Sequence, residues 1–144
     1  MRPSPETILN LDIQVPNQTR YLRLVGNIAQ LVAKEIDVAT GDRDALAYHL
    51  NLVVTEAVTN AIQYGCKSDV ETKVRIFLSY ENKDLCVRVY DHGAGFDLRS
   101  IAAPDEDALN ERGRGLFFIR SLMDTVDYRR TECGNVLEMK KRLA

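Results

Sequence analysis

From about Arg43 to Tyr64 the chain carries Leu46, Leu50, Val53, Val54, Ala57, Val58, Ala61 and Ile62 at the spacing of one face of a long α-helix. Thr40-Gly41-Asp42 breaks the pattern before it, and Gly65 is a natural terminator after it. A helix with one apolar side must bury that side against a second layer, so the flanking segments have to supply one.

They do so in a definite order. Ile8 to Val15 alternates as a strand, with Leu9, Leu11, Ile13 and Val15 on one face, and Pro16 stops it. Thr19 to Ile36 repeats Leu22, Val25, Ile28, Ala29, Val32 and Ile36 at helical spacing, with Asn17 able to cap its start. Val70 to Tyr80 and Leu85 to Asp91 read as two strands around the turn Glu81-Asn82-Lys83-Asp84. A largely polar segment follows from Phe96 to Gly113, containing Pro104 and the acidic Asp105-Glu106-Asp107. Gly115 to Met123 is helical in pattern, and Thr125 to Thr131 and Asn135 to Arg142 form a hairpin across Glu132-Cys133-Gly134. The order predicts an α+β sandwich with helices on one face of a mixed, mostly antiparallel sheet.

At 144 residues the expectation is a single domain, residues 1–144, with no repeat or linker. The formal net charge of −2 supplies no basic field, which disfavours direct nucleic-acid binding. No run approaches the ~18 apolar residues of a membrane span, and Met1 to Pro5 lacks the apolar stretch of a signal peptide. A cytoplasmic location is therefore expected. The three cysteines, Cys66, Cys86 and Cys133, lack metal-type spacing and read as reduced thiols, with Cys86 a small hydrophobe in its strand.

Three short constellations carry chemistry. Glu56 and Asn60 lie four apart on the long helix, so both project from one side of it. A carboxylate and a carboxamide placed so can serve as a base and a Mg²⁺ ligand, although such a pair is more often a solvated edge. Asp91-His92-Gly93-Ala94-Gly95 sits where a strand ends. Its glycines allow close backbone approach to a ligand, and its Asp offers an acceptor to an amino group such as that of adenine. Asp91-His92-Gly93 superficially matches the metal-binding triplet of eukaryotic-type protein kinases, but their other motifs are missing and that reading is rejected. Arg112-Gly113-Arg114-Gly115-Leu116 opens a helix with glycines, where unpaired N–H groups favour phosphate. Either glycine motif alone is more often an ordinary turn.

In this order the three motifs resemble the GHKL ATPases, whose nucleotide site is the Bergerat fold. Glu56-x-x-x-Asn60 is similar to the N box, Asp91-x-Gly93-x-Gly95 to the G1 box and Gly113-x-Gly115 to the G2 box. Phe96-Asp97 and the run from Gly113 to Asp124 narrow the resemblance to the bacterial anti-sigma regulatory factors with serine-protein-kinase activity. That resemblance implies ATP and Mg²⁺ as cofactors. Asp91 would accept the adenine amino group, and Gly93 and Gly95 would shape the pocket floor. Asn60 would bind the metal, Gly113, Arg114 and Gly115 would cradle phosphate, and Glu56 would be the general base. Asp97 to Arg112 would form the ATP lid.

The implied partners are a sigma factor or another regulator, a STAS-type anti-anti-sigma protein and, as is common in the family, a second copy of the chain. The implied activity is phosphorylation of the STAS-type partner on Ser or Thr in a partner-switching pathway. The alternative is a nucleotide-dependent clamp without phosphoryl transfer. The retained Glu56 favours the kinase.

Overall fold

A computed structural model of the chain describes residues 9–36, 43–64, 73–91, 111–131 and 134–143. Strand β1 (Leu9–Pro16) leads through one 3-10 turn, Thr19–Tyr21, into α1 (Leu22–Glu35), and α2 (Arg43–Tyr64) follows. Strands β2 (Lys73–Glu81) and β3 (Asp84–Asp91) form a hairpin, α3 spans Glu111–Leu122, and β4 (Thr125–Thr131) and β5 (Gly134–Arg142) form a second hairpin. The five strands make one sheet in the order β1-β2-β3-β5-β4.

Each of the four pairings is antiparallel, so among the described strands the expected mixture reduces to its antiparallel part. The reason is topological. Two pairings are direct hairpins, which can only be antiparallel, and β5 enters beside β3 after a helix and a hairpin have reversed the chain.

The β2–β3 turn is tight because Asn82 and Lys83 both take left-handed backbone, with φ of 53° and 67°. That pair of angles is the two-residue turn whose twist suits a hairpin. Asn tolerates this conformation and Lys does not favour it. The far end of β5 compensates: the Leu143 N–H donates to the Lys83 carbonyl at 2.8 Å, and Arg142 Nη1 donates to the Asn82 carbonyl at 3.0 Å.

Helices α1 and α2 pack against each other, and α2 in turn lies on β2 and β3 and against α3. The stripe read from the sequence is what α2 buries: Leu46, Leu50, Val53, Val54, Ala57, Val58 and Ala61 are all in the core. They meet Val74, Ile76, Leu78, Leu85, Val87, Val89, Leu137 and Met139 from the inner face of the sheet, with Leu116 and Ile119 of α3. Each of these buried Leu, Val, Ile and Met side chains stabilises the fold by roughly 1.5–3 kcal/mol, and the Ala methyls by less.

The α1–α2 contact is unusually close at Gly26, where a Cβ would lie 2.5 Å from both Asn51 Oδ1 and Thr55 Oγ1. Asn51 cannot easily retreat, because its Nδ2 donates to Gln30 Oε1 at 2.8 Å and its Oδ1 accepts from Thr55 at 3.2 Å. In an open helix Gly→Ala would stabilise by roughly 1 kcal/mol. Here overpacking, at roughly 1–3 kcal/mol, should outweigh that gain. Gly26→Ala is expected to lower the midpoint of urea unfolding, and a raised midpoint would show that the polar seam yields.

The segments 37–42, 65–72 and 92–110 lie outside the described residues, and with them His92 to Gly95, Pro104 and most of the expected lid. The last two lid positions, Glu111 and Arg112, belong to α3, which starts four residues before the expected Gly115. The glycines made that turn read as loop. A helical glycine costs ~1 kcal/mol without forbidding the helix, and Arg112 and Arg114 are good helix formers. Among the described residues no helix is long and apolar enough to cross a membrane.

Candidate nucleotide site

Side chains alternate along a strand, so Asp91 follows Leu85, Val87 and Val89 onto the inner face of the sheet. It is 5% exposed, at the end of β3 where apolar residues would otherwise continue. Asn135 stands opposite it in the β3–β5 register and precedes Leu137 and Met139 on the same face of β5. Asn135 is 4% exposed, and its Nδ2 donates to Asp91 Oδ1 at 2.9 Å.

Asn60 lies on the last turns of α2 and is 3% exposed. Its Nδ2 has no hydrogen-bond partner among the described residues. An orphaned buried amide costs roughly 1–3 kcal/mol, which a fold tolerates where a ligand completes the bonding. A half-turn of the carboxamide puts an oxygen where the nitrogen stands, so the same position suits an oxygen-seeking cation. Glu56, one helical turn earlier, is half-buried. The chain passes from the end of α2 to the start of β2, and that start lies beside the end of β3, with Arg75 opposite Tyr90. The chain order thus puts the Asn60 turn and Asp91 toward the same end of the sheet's strands.

Among the described residues, Asn60, Asp91 and Asn135 are the buried polar or charged ones. Two of the three are residues singled out from sequence. Gly113 falls in the first turn of α3, where the leading backbone N–H groups lack intrahelical partners, and Arg114 and Gly115 follow it in the helix. Gly93 and Gly95 lie outside the described residues.

Sequence reasoning missed Asn135. The available signal was a polar residue at the inward phase of Asn135, Leu137 and Met139, which the adjoining Gly134 disguised as turn chemistry. Cys86 needs a correction as well, since it lies half-buried on the outer face, between the inward-facing Leu85 and Val87. Burial nonetheless pushes its thiol pKa up, which favours the protonated form. Cys66 and Cys133 lie outside the described residues.

The outer face also holds a shallow cavity of about 280 Å³, lined by Asn10, Asp12, Phe77, Ser79, Cys86 and Arg88 among others. None of the candidate residues lines it. It is edged by surface ion pairs, Arg75 with Asp12 at 2.6 Å and Arg88 with Glu138 at 2.7 Å. Burial would push Glu138 up, but the Arg88 hydrogen bond and the nearby charges of Lys140, Arg88 and Arg129 hold its carboxyl below the ordinary range. The cavity lacks a buried polar group of the kind found on the inner face, where the chemistry is concentrated.

Comparison with known proteins bears on the fold and the family. The chain is 29% identical over 94% of its length to proteins named serine-protein kinase RsbW from Bacillus cereus (strain AH820) and Bacillus anthracis (strain A0248), covering 86% of each. The histidine kinase domain of the blue-light activated histidine kinase from Erythrobacter litoralis EL346 superposes on 90% of the chain with a TM-score of 0.55 at 19% identity. The chain spans 62% of that domain's length. Residues 15–141 match the histidine kinase-like ATPase domain. The chain belongs to the histidine kinase-like ATPase domain family.

Proposed function

We propose that this chain is an ATP-dependent protein kinase of the anti-sigma type, acting on a Ser or Thr hydroxyl of a STAS-type partner protein. The observation that carries the reading is the set of buried polar residues. An otherwise apolar core keeps Asp91 of β3 and Asn60 of α2 buried, the two residues whose motifs resemble the G1 and N boxes. The similarity to proteins named serine-protein kinase supports the choice of reaction.

In this reading Asp91 accepts the adenine amino group, with Gly93 and Gly95 at the pocket floor. The first turn of α3, which holds Gly113, receives phosphate through backbone N–H groups, with Arg114 and Gly115 next to it in the helix. Asn60 would hold Mg²⁺ through its carboxamide oxygen, and the ion supplies neutralisation of phosphate charge. Glu56 takes the proton from the attacking hydroxyl as its oxygen bonds to the γ-phosphorus. The bond from that phosphorus to the β,γ-bridging oxygen breaks, and ADP leaves with the electron pair. A phosphate placed on the partner's docking surface then repels it by charge and desolvation, freeing the kinase to hold a sigma factor or another regulator.

The test is transfer of radiolabelled γ-phosphate to STAS-type proteins co-purified from the native cell. Labelled partner is the expected result. ATP-dependent partner binding without any transfer would replace the kinase by a nucleotide-dependent clamp. The metal assignment has its own check. Asn60→Ala should weaken Mg·ATP binding by about tenfold, ~1.4 kcal/mol, and metal-free ADP binding much less. Calorimetry showing the same loss with and without Mg²⁺ would remove the ion from Asn60.

A further inference from the structure

We propose that Asn135 is a positioning residue that gives the site its selectivity for adenine, by fixing the rotation of the Asp91 carboxylate. The inference rests on the reading of Asp91 as the purine contact and goes beyond it in naming what makes that contact selective. Asn135 and Asp91 are directly opposite in the β3–β5 register, on the inner face, and both are nearly inaccessible to water. The side-chain bond between them, 2.9 Å from Nδ2 to Oδ1, is a buried one that joins residues 44 apart in sequence.

β5 is started in a way that serves this contact. Gly134, with φ of 127°, takes a backbone conformation that side chains other than glycine's rarely adopt, and Asn135 is the next residue. An ordinary strand start would have no need of a carboxamide on the apolar side.

The chemistry follows from the donor count. A carboxylate only accepts hydrogen bonds, while a carboxamide has both a donating and an accepting end. With Nδ2 of Asn135 on Oδ1, the turn of the Asp91 carboxylate is restrained, and with it the direction in which its oxygens accept. A fixed acceptor rewards a purine that presents an amino group at position 6 and penalises one that presents a 6-oxo acceptor in the same place. Without Asn135 the carboxylate loses that restraint on Oδ1, and the penalty for the wrong purine is relaxed.

The experiment compares ADP with inosine diphosphate, which differs in carrying oxygen for the amino group, by calorimetric titration of the wild-type chain and of Asn135→Leu. Leu matches the heavy-atom branching of Asn and has no donor. Wild type should prefer ADP by tenfold or more, and Asn135→Leu should reduce that ratio by about tenfold, mainly through weaker ADP binding. A merely structural role would weaken both nucleotides alike and leave the ratio unchanged. An unchanged ratio in a folded Asn135→Leu variant overturns the proposal and leaves the adenine reading standing. A wild type without preference for ADP overturns the adenine reading, and this proposal with it.

Should Asn135→Leu not fold, the wild type itself decides, through the side-chain amide resonances of Asn135 in NMR spectra. Saturation with ADP should shift them, and saturation with inosine diphosphate should shift them less. Resonances that respond equally to the two, or to neither, overturn the proposal.

Discussion

Glu56→Gln is expected to lower phosphoryl transfer to the partner protein by about 10²–10⁴-fold while leaving ATP binding near its wild-type strength. The substitution keeps the shape of the side chain and removes its capacity to take a proton. Glu56 is half-buried on α2, one turn before Asn60, and in the proposed reading it faces the phosphate end of the site, away from the adenine contact. Single-turnover transfer with radiolabelled ATP measures the first quantity, and a separate nucleotide titration measures the second. Equal transfer by both forms would keep the kinase and take the base away from Glu56. Loss of ATP binding in parallel with transfer would make Glu56 a binding residue.

Asp91→Asn should weaken ADP and ATP binding by about 10–100-fold, since a buried hydrogen bond to a charged group is worth ~1.5–3 kcal/mol. The geometry sharpens this expectation. The Asp91 carboxylate can accept from Asn135 on one oxygen and from adenine on the other. An Asn in its place has one accepting end, so either Asn135 or the base meets a second donor. The variant should still fold, because the β3–β5 backbone pairing and the packing of Leu137 and Met139 are untouched. Calorimetry of the folded variant is the check, and undiminished affinity would move the purine elsewhere.

Where the sequence was legible, one physical signal dominated. α2 runs from Arg43 to Tyr64, as the spacing of its apolar stripe predicts, because that stripe is long, unbroken and bounded by turn residues. Asp91 was legible because it ends a clean alternation before glycines. The start of α3 was not, since glycine lowers helix propensity only modestly and tertiary packing of Leu116 and Ile119 overrides it. Cys86 was misplaced because apolar neighbours on both sides suggest burial, while the alternation that buries Leu85 and Val87 turns the residue between them outward. Asn135 was missed for a different reason. Its inward phase with Leu137 and Met139 was legible, but its contact with Asp91 depends on β5 lying beside β3, a pairing between segments far apart in the chain that no local pattern reports.

The most direct measurement is an NMR titration of the wild-type chain with Mg·ATP and, separately, with Mg·GTP, following backbone and side-chain amides. ATP should bind at least tenfold more tightly than GTP, with the largest shifts at Asn60, Asp91 and Asn135 and in the first turn of α3. Equal affinity for the two nucleotides, or shifts centred on Asp12, Cys86 and Arg88 of the outer-face cavity, would contradict the account.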